Sequence, residues 1–148
     1  MYLVDTNVLS AGAPTKAVPA ADLIAWMDRN SARLRLSVIT VAEIEDGIAK
    51  SRREGATRKA ERLSARLETL LHLYGAQVLP IDLQIARQIG RLADVARGRG
   101  HAPGLADLAV AATAQCHGWT VLTRNVRHFA PLGVPAHDPF EALPADAA

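Results

Sequence analysis

The chain has 148 residues, 49% of them hydrophobic, and a formal net charge of only +2. That length supports one domain, residues 1–148, with a substantial core. No apolar run nears the roughly 20 residues of a bilayer span, the apolar start lacks the basic lead of a signal peptide, and the single Cys116 excludes an internal disulfide and suits a reducing cytoplasm.

Tyr2-Leu3-Val4 is a short apolar, β-prone run that reads as a central buried strand. It stops abruptly at Asp5-Thr6-Asn7. Ligands of open parallel sheets bind just beyond the carboxyl ends of the strands, and a carboxylate there is costly unless paired or bound to a cation. The competing reading is that Asp5 or Asn7 caps the next helix. Val8 to Ala11 is expected as one helical turn, followed by the loop Gly12-Ala13-Pro14, which carries Lys16. A helix over Ala20 to Asn30 has Leu23, Ile24 and Met27 as its apolar stripe, with Trp26 as a packing residue.

Leu34 to Ile39 is expected as the second strand. Thr40-Val41-Ala42-Glu43 then opens a helix to about Lys50, and the Thr-x-x-Glu spacing offers a capping box that would account for Glu43 without chemistry. A helix over Ala56 to Leu73 is apolar on one face. Its other face and the turn before it are basic, from Lys50, Arg52 and Arg53 to Arg66, either a solvated face or a phosphate-contact surface. Gln77 to Ile81 is the third strand, and Asp82 caps a helix to about Arg97. The glycine-rich loop from Gly98 to Gly104 lacks any nucleotide-binding fingerprint, and His101 within it has no second histidine at ligand spacing.

Asp107 is the only acid of a helix that is apolar almost all round, closed by Gly118, with Cys116 as core filler. Thr120-Val121-Leu122 is the fourth strand, followed by Thr123-Arg124-Asn125 and a helical turn to Phe129. Val134 to His137 is a short edge strand, and the Ala-rich tail after Leu143 is expected to fray. No repeat or linker interrupts the chain. With right-handed crossovers this order builds a parallel sheet covered on both faces. Asp5, Glu43, Asp107 and the Thr123/Asn125 pair then fall along one sheet edge. Carboxylate and water oxygens are the ligands that Mg²⁺ and Mn²⁺ prefer.

Four blocks, "YLVDTNVLS", "SVITVAEIEDGI", "ADLAVAATAQCHG" and "VLTRNVRHF", together resemble the PIN-domain proteins and, more narrowly, the VapC/FitB-like toxins of bacterial toxin–antitoxin pairs. The resemblance implies an α/β three-layer sandwich with a central five-stranded parallel sheet and helices on both faces. It implies a Mg²⁺- or Mn²⁺-dependent endoribonuclease toxin, a homodimer, and neutralisation by a cognate antitoxin. By motif, Asp5, Glu43 and Asp107 fall on the family's three acids. Asn125 falls where many relatives carry a fourth acid and others an Asn. Asp5 and Asp107 are the metal ligands in this reading, and Glu43 ligates through water or helps deprotonate the nucleophile. Thr6, Asn7 and Thr123 orient carboxylates and waters. Arg124, Arg127, Arg52 and Arg53 are the candidate RNA contacts. One metal ion is expected without substrate, since Asn125 adds no charge. Two rivals stand beside this: a catalytically weakened RNA- or protein-binding module on the same fold, favoured only by Asn125, and a phosphoacceptor domain, opposed by the absence of its paired acids.

Overall fold

The computed structural model describes residues 1–9 and 17–147. The expected loop Gly12-Ala13-Pro14 with Lys16, and the end of the first helical turn, lie outside the described residues. Five strands form one all-parallel sheet: β1 (Tyr2–Val4), β2 (Leu34–Ser37), β3 (Val78–Leu79), β4 (Thr120–Leu122) and β5 (Ala136–His137), in the spatial order β3-β2-β1-β4-β5. The central position of β1 is the expected one.

Alternation along the central strands assigns the layers, because successive side chains leave opposite faces of a sheet. Leu3 and Val121 enter the core on one face; Val4 and Leu122 enter the core on the other. The first face is covered by α5 (Leu83–Gly98) and α6 (Leu105–His117), which pack on one another. The second is covered by α1 (Thr6–Leu9) and α2 (Ala20–Arg29), whose Trp26 is 1% exposed and meets Tyr2 edge to face at 5.8 Å. Trp26 is therefore a packing residue. The hairpin of α3 (Val38–Arg53) and α4 (Thr57–Tyr74) has its own small cluster around Ile44, Ile48, Ala60 and Leu67. A short α7 (Val126–Phe129) follows β4. Residues Leu108 to Ala114 of α6 are all buried, and Gly118 ends the helix at φ 72°. Asp82 caps α5 by accepting from the Ile85 amide at 2.8 Å. Among the described residues no helix is long and apolar enough to cross a membrane.

Two expectations are corrected. The second strand ends at Ser37, not Ile39, because the Ser37 hydroxyl accepts from the Ile39 amide at 3.1 Å and starts α3 two residues early. The third strand is only Val78–Leu79, since Pro80 has no N–H for the ladder. Residues 145–147 of the tail meet α2 and the turn after it. Asn30, 2% exposed, donates from Nδ2 to Asp146 Oδ1 at 2.8 Å and accepts from the Ala147 amide at 3.0 Å, while Arg33 donates to the Ala145 carbonyl.

Candidate active site

The ladder between β1 and β4 runs one residue past the end of β1, where the Asp5 amide donates to the carbonyl of Leu122, the last residue of β4, at 2.9 Å. The Asp5 side chain is thereby carried into the crevice between the two strand ends, and only 6% of the residue is exposed. Its Oδ1 accepts from the Thr6 amide at 2.9 Å, and its Oδ2 accepts from the Thr123 hydroxyl at 2.8 Å. Thr123 is fully buried, and its oxygen has no bonding capacity to spare. It donates to Asp5 while accepting from Asn7 Nδ2 at 3.3 Å and from the Asn125 amide at 3.0 Å. Asn7 Oδ1 in turn accepts from the Arg124 amide at 3.1 Å. Thr6 and Thr123 thus hold Asp5 directly, and Asp5 is linked to Asn7 through Thr123. Burial raises the Asp5 carboxyl above its ordinary value of 3.8, and the negative charges of Asp107 and Glu43 add to that rise, against the bonds from Thr123 and Thr6.

Glu43 lies on the exposed side of the second turn of α3. The capping box is not formed, because Ser37 occupies the cap and Thr40 is already inside the helix, 1% exposed. Glu43 Oε1 instead accepts from the Thr6 hydroxyl at 2.6 Å, and Thr40 Oγ1 lies 3.2 Å from that same hydroxyl. Thr6 therefore bridges two acids: its amide holds Asp5 and its hydroxyl holds Glu43.

Asp107 stands in the first turn of α6, with Oδ2 3.2 Å from Nδ1 of His128. Asn125 carries α7, and its carbonyl accepts from the His128 amide at 2.9 Å. The chain that fixes Thr123 thus also delivers His128 to Asp107. Sequence reasoning missed His128. The available signal was its place one helical turn beyond Asn125, inside the block "VLTRNVRHF". A cleft of about 300 Å³ opens against Asp107, lined by His101, Arg127 and His128 among others.

The four candidate arginines separate. Arg127 reaches this cleft. Arg124 places its guanidinium 5.0 Å from the centre of the Phe140 ring. Arg52 and Arg53 are exposed in the last turn of α3, about 14 Å along the helix axis from Glu43 at 1.5 Å per residue.

Among the described residues no group of three or more His, Cys, Asp or Glu side chains is close enough to hold a metal ion unaided. The carboxylates of Asp5, Glu43 and Asp107 nevertheless offer hard oxygens, and a cation there would offset the burial and like charge that oppose the charged form of Asp5. Such a sparse oxygen set fits an ion that retains several waters, as Mg²⁺ does.

Residues 2–132 match the PIN domain family. This chain belongs to that family. Its PIN domain is similar to the VapC ribonuclease Y4jK of Sinorhizobium fredii, 36% identical over 95% of this chain and 99% of the relative. It is similar to Toxin FitB of Neisseria gonorrhoeae, 34% identical over 95% of this chain and 99% of that protein. The crystal structure of FitAcB from Neisseria gonorrhoeae superposes with a TM-score of 0.78 at 33% identity, over 95% of this chain and 99% of that one. The three-layer sandwich expected of a PIN domain is the fold observed.

Proposed function

We propose that this PIN-domain chain is a metal-dependent endoribonuclease that acts as the toxin of a toxin–antitoxin pair. The observation that carries the reading is the buried Asp5 carboxylate, fixed at both oxygens and opposed in its charged form by burial, Asp107 and Glu43. A divalent cation resolves that conflict. Asp5 and Asp107 are the residues that hold Mg²⁺ or Mn²⁺, with waters completing the shell. When bound, such an ion activates water and stabilises charge developing on a phosphodiester.

The chain's own residues do the rest. Thr6 and Thr123 keep Asp5 in one rotamer. Glu43, anchored through Oε1 by the Thr6 hydroxyl, accepts a proton from the attacking water. Asn125 offers an amide oxygen without charge, so one ion is favoured in the free protein and a second depends on substrate phosphate. Arg127 meets the RNA beside the acidic centre. The names of the VapC ribonuclease and FitB toxin relatives support RNA as substrate and toxicity as the role. A toxin of this type works in the cytoplasm as a homodimer restrained by a cognate antitoxin.

The test is cleavage of a mixed RNA pool by purified protein with Mg²⁺, Mn²⁺ or EDTA, beside Asp5→Ala. Metal-dependent cutting is expected to fall by more than about 100-fold in the variant, above the range typical of outer-shell partners. Absence of cutting by folded wild-type protein under every metal would overturn the reading in favour of a binding module weakened at Asn125.

A further inference from the structure

The cleft against Asp107 has no part in holding Asp5 or Glu43, yet it opens directly onto the third acid. We propose that it seats the single nucleotide next to the cleaved bond, with His101 and Arg127 as the residues that select it; this rests on the ribonuclease reading.

Size comes first. A volume of about 300 Å³ is at the lower limit of small-molecule sites. It admits one nucleoside and no stacked pair. Chemistry comes second. Pro103, Pro131 and Leu132 give the cleft apolar walls, while His101, Arg127 and His128 line it with planar polar groups. Unstacked RNA bases are taken up by stacking on His rings and guanidinium planes and by hydrogen bonds to their edges. His128 turns Nδ1 to Asp107, so its other ring nitrogen is the one left for a ligand.

Preorganisation comes third. Gly100, at φ +77°, turns the chain at the end of α5. The Gly100 amide donates to the Arg97 carbonyl, and the His101 amide donates to the Ala96 carbonyl at 2.8 Å, which fixes the backbone of His101. Arg99 Nη1 donates to the Pro131 carbonyl at 2.5 Å, tying one lip of the cleft to the other. The ordering cost is therefore met in folding and not in binding.

The five histidines allow a direct test, since His72, His117 and His137 lie outside the cleft. The four 5′-mononucleotides are titrated into metal-free protein while the ring signals are followed by NMR. Saturable shifts at His101 and His128 alone, with one nucleotide binding at least about threefold more tightly than the others, are expected. In cleavage of the RNA pool, His101→Ala and Arg127→Ala each raise KM by about five- to tenfold, in line with loss of a stacking contact. They also shift the distribution of cut sites while kcat stays within about twofold. Arg87→Ala, which removes the same charge from the first half of α5, does neither. Unmoved rings at millimolar nucleotide, or an unchanged cut pattern in both variants, would overturn the subsite. Wild-type protein that shifts both rings but cuts no RNA would leave the subsite standing and remove the ribonuclease reading. Cutting with unmoved rings would do the reverse.

Discussion

Asp5 and Asp107 are the same side chain in opposite settings. Asp5 is 6% exposed, and both of its oxygens accept bonds from groups that are themselves held. Asp107 has a side chain 30% exposed and, among the described residues, is hydrogen-bonded through its carboxylate to His128, which is 43% exposed. The sheet builds the first acid into its interior, where no neighbour can move without breaking a bond. The second sits on a helix beside an open cleft and can adjust to what binds. One half of the site is thus fixed by folding, and the other is left to the ligand.

Three substitutions sharpen that contrast. Thr123→Val removes the donor to Asp5 and leaves Asn7 Nδ2 and the Asn125 amide without their acceptor. A loss of about 1–3 kcal/mol in urea unfolding is expected, with cleavage down by about 10- to 100-fold. Unchanged activity would show that Asp5 needs no fixing. Asp5→Asn tests the charge itself. The folded carboxyl titrates above its ordinary 3.8, so the folded state binds more protons than the unfolded one just above that value. The Asp5 contribution to stability therefore worsens as pH rises through this window and stays unfavourable at neutral pH. In metal-free buffer the stability of Asp5→Asn relative to wild type should accordingly be greater near pH 7 than near pH 4 by thermal melting. A gap that does not vary with pH would break the contrast. His128→Gln should cost less than about 1 kcal/mol in the same unfolding assay, since the pair it removes is largely exposed. A larger loss would mean that Asp107 is as tightly built in as Asp5.

Much of the acidic edge was legible because strand ends and helix starts are local signals. Asp5 follows a short apolar run, and Asp107 opens an apolar helix. Glu43 was the ambiguous acid, and the ambiguity came from a boundary. Val38 and Ile39 are β-branched and read as strand, but the Ser37 cap draws them into α3. That displaces Thr40 from the cap position and turns Glu43 toward Thr6. Long-range partners were the illegible part. Nothing near His128 announces Asp107, 21 residues earlier, and nothing in the Ala-rich tail announces Asn30. The arginines were ambiguous for a related reason: a basic residue in a sequence does not tell whether its guanidinium faces a phosphate or, like Arg124, lies over an aromatic ring.

The bond between Thr123 and Asp5 joins residues 118 positions apart. A ribosome synthesises them in that order, so Asp5 leaves the exit tunnel long before its fixing hydroxyl exists. Until Thr123 emerges and β4 pairs with β1, the carboxylate belongs to an open strand edge and has no defined rotamer. The setting that holds Asp5 is thus written in two distant stretches of the chain and is complete only once β4 and Thr123 have joined β1.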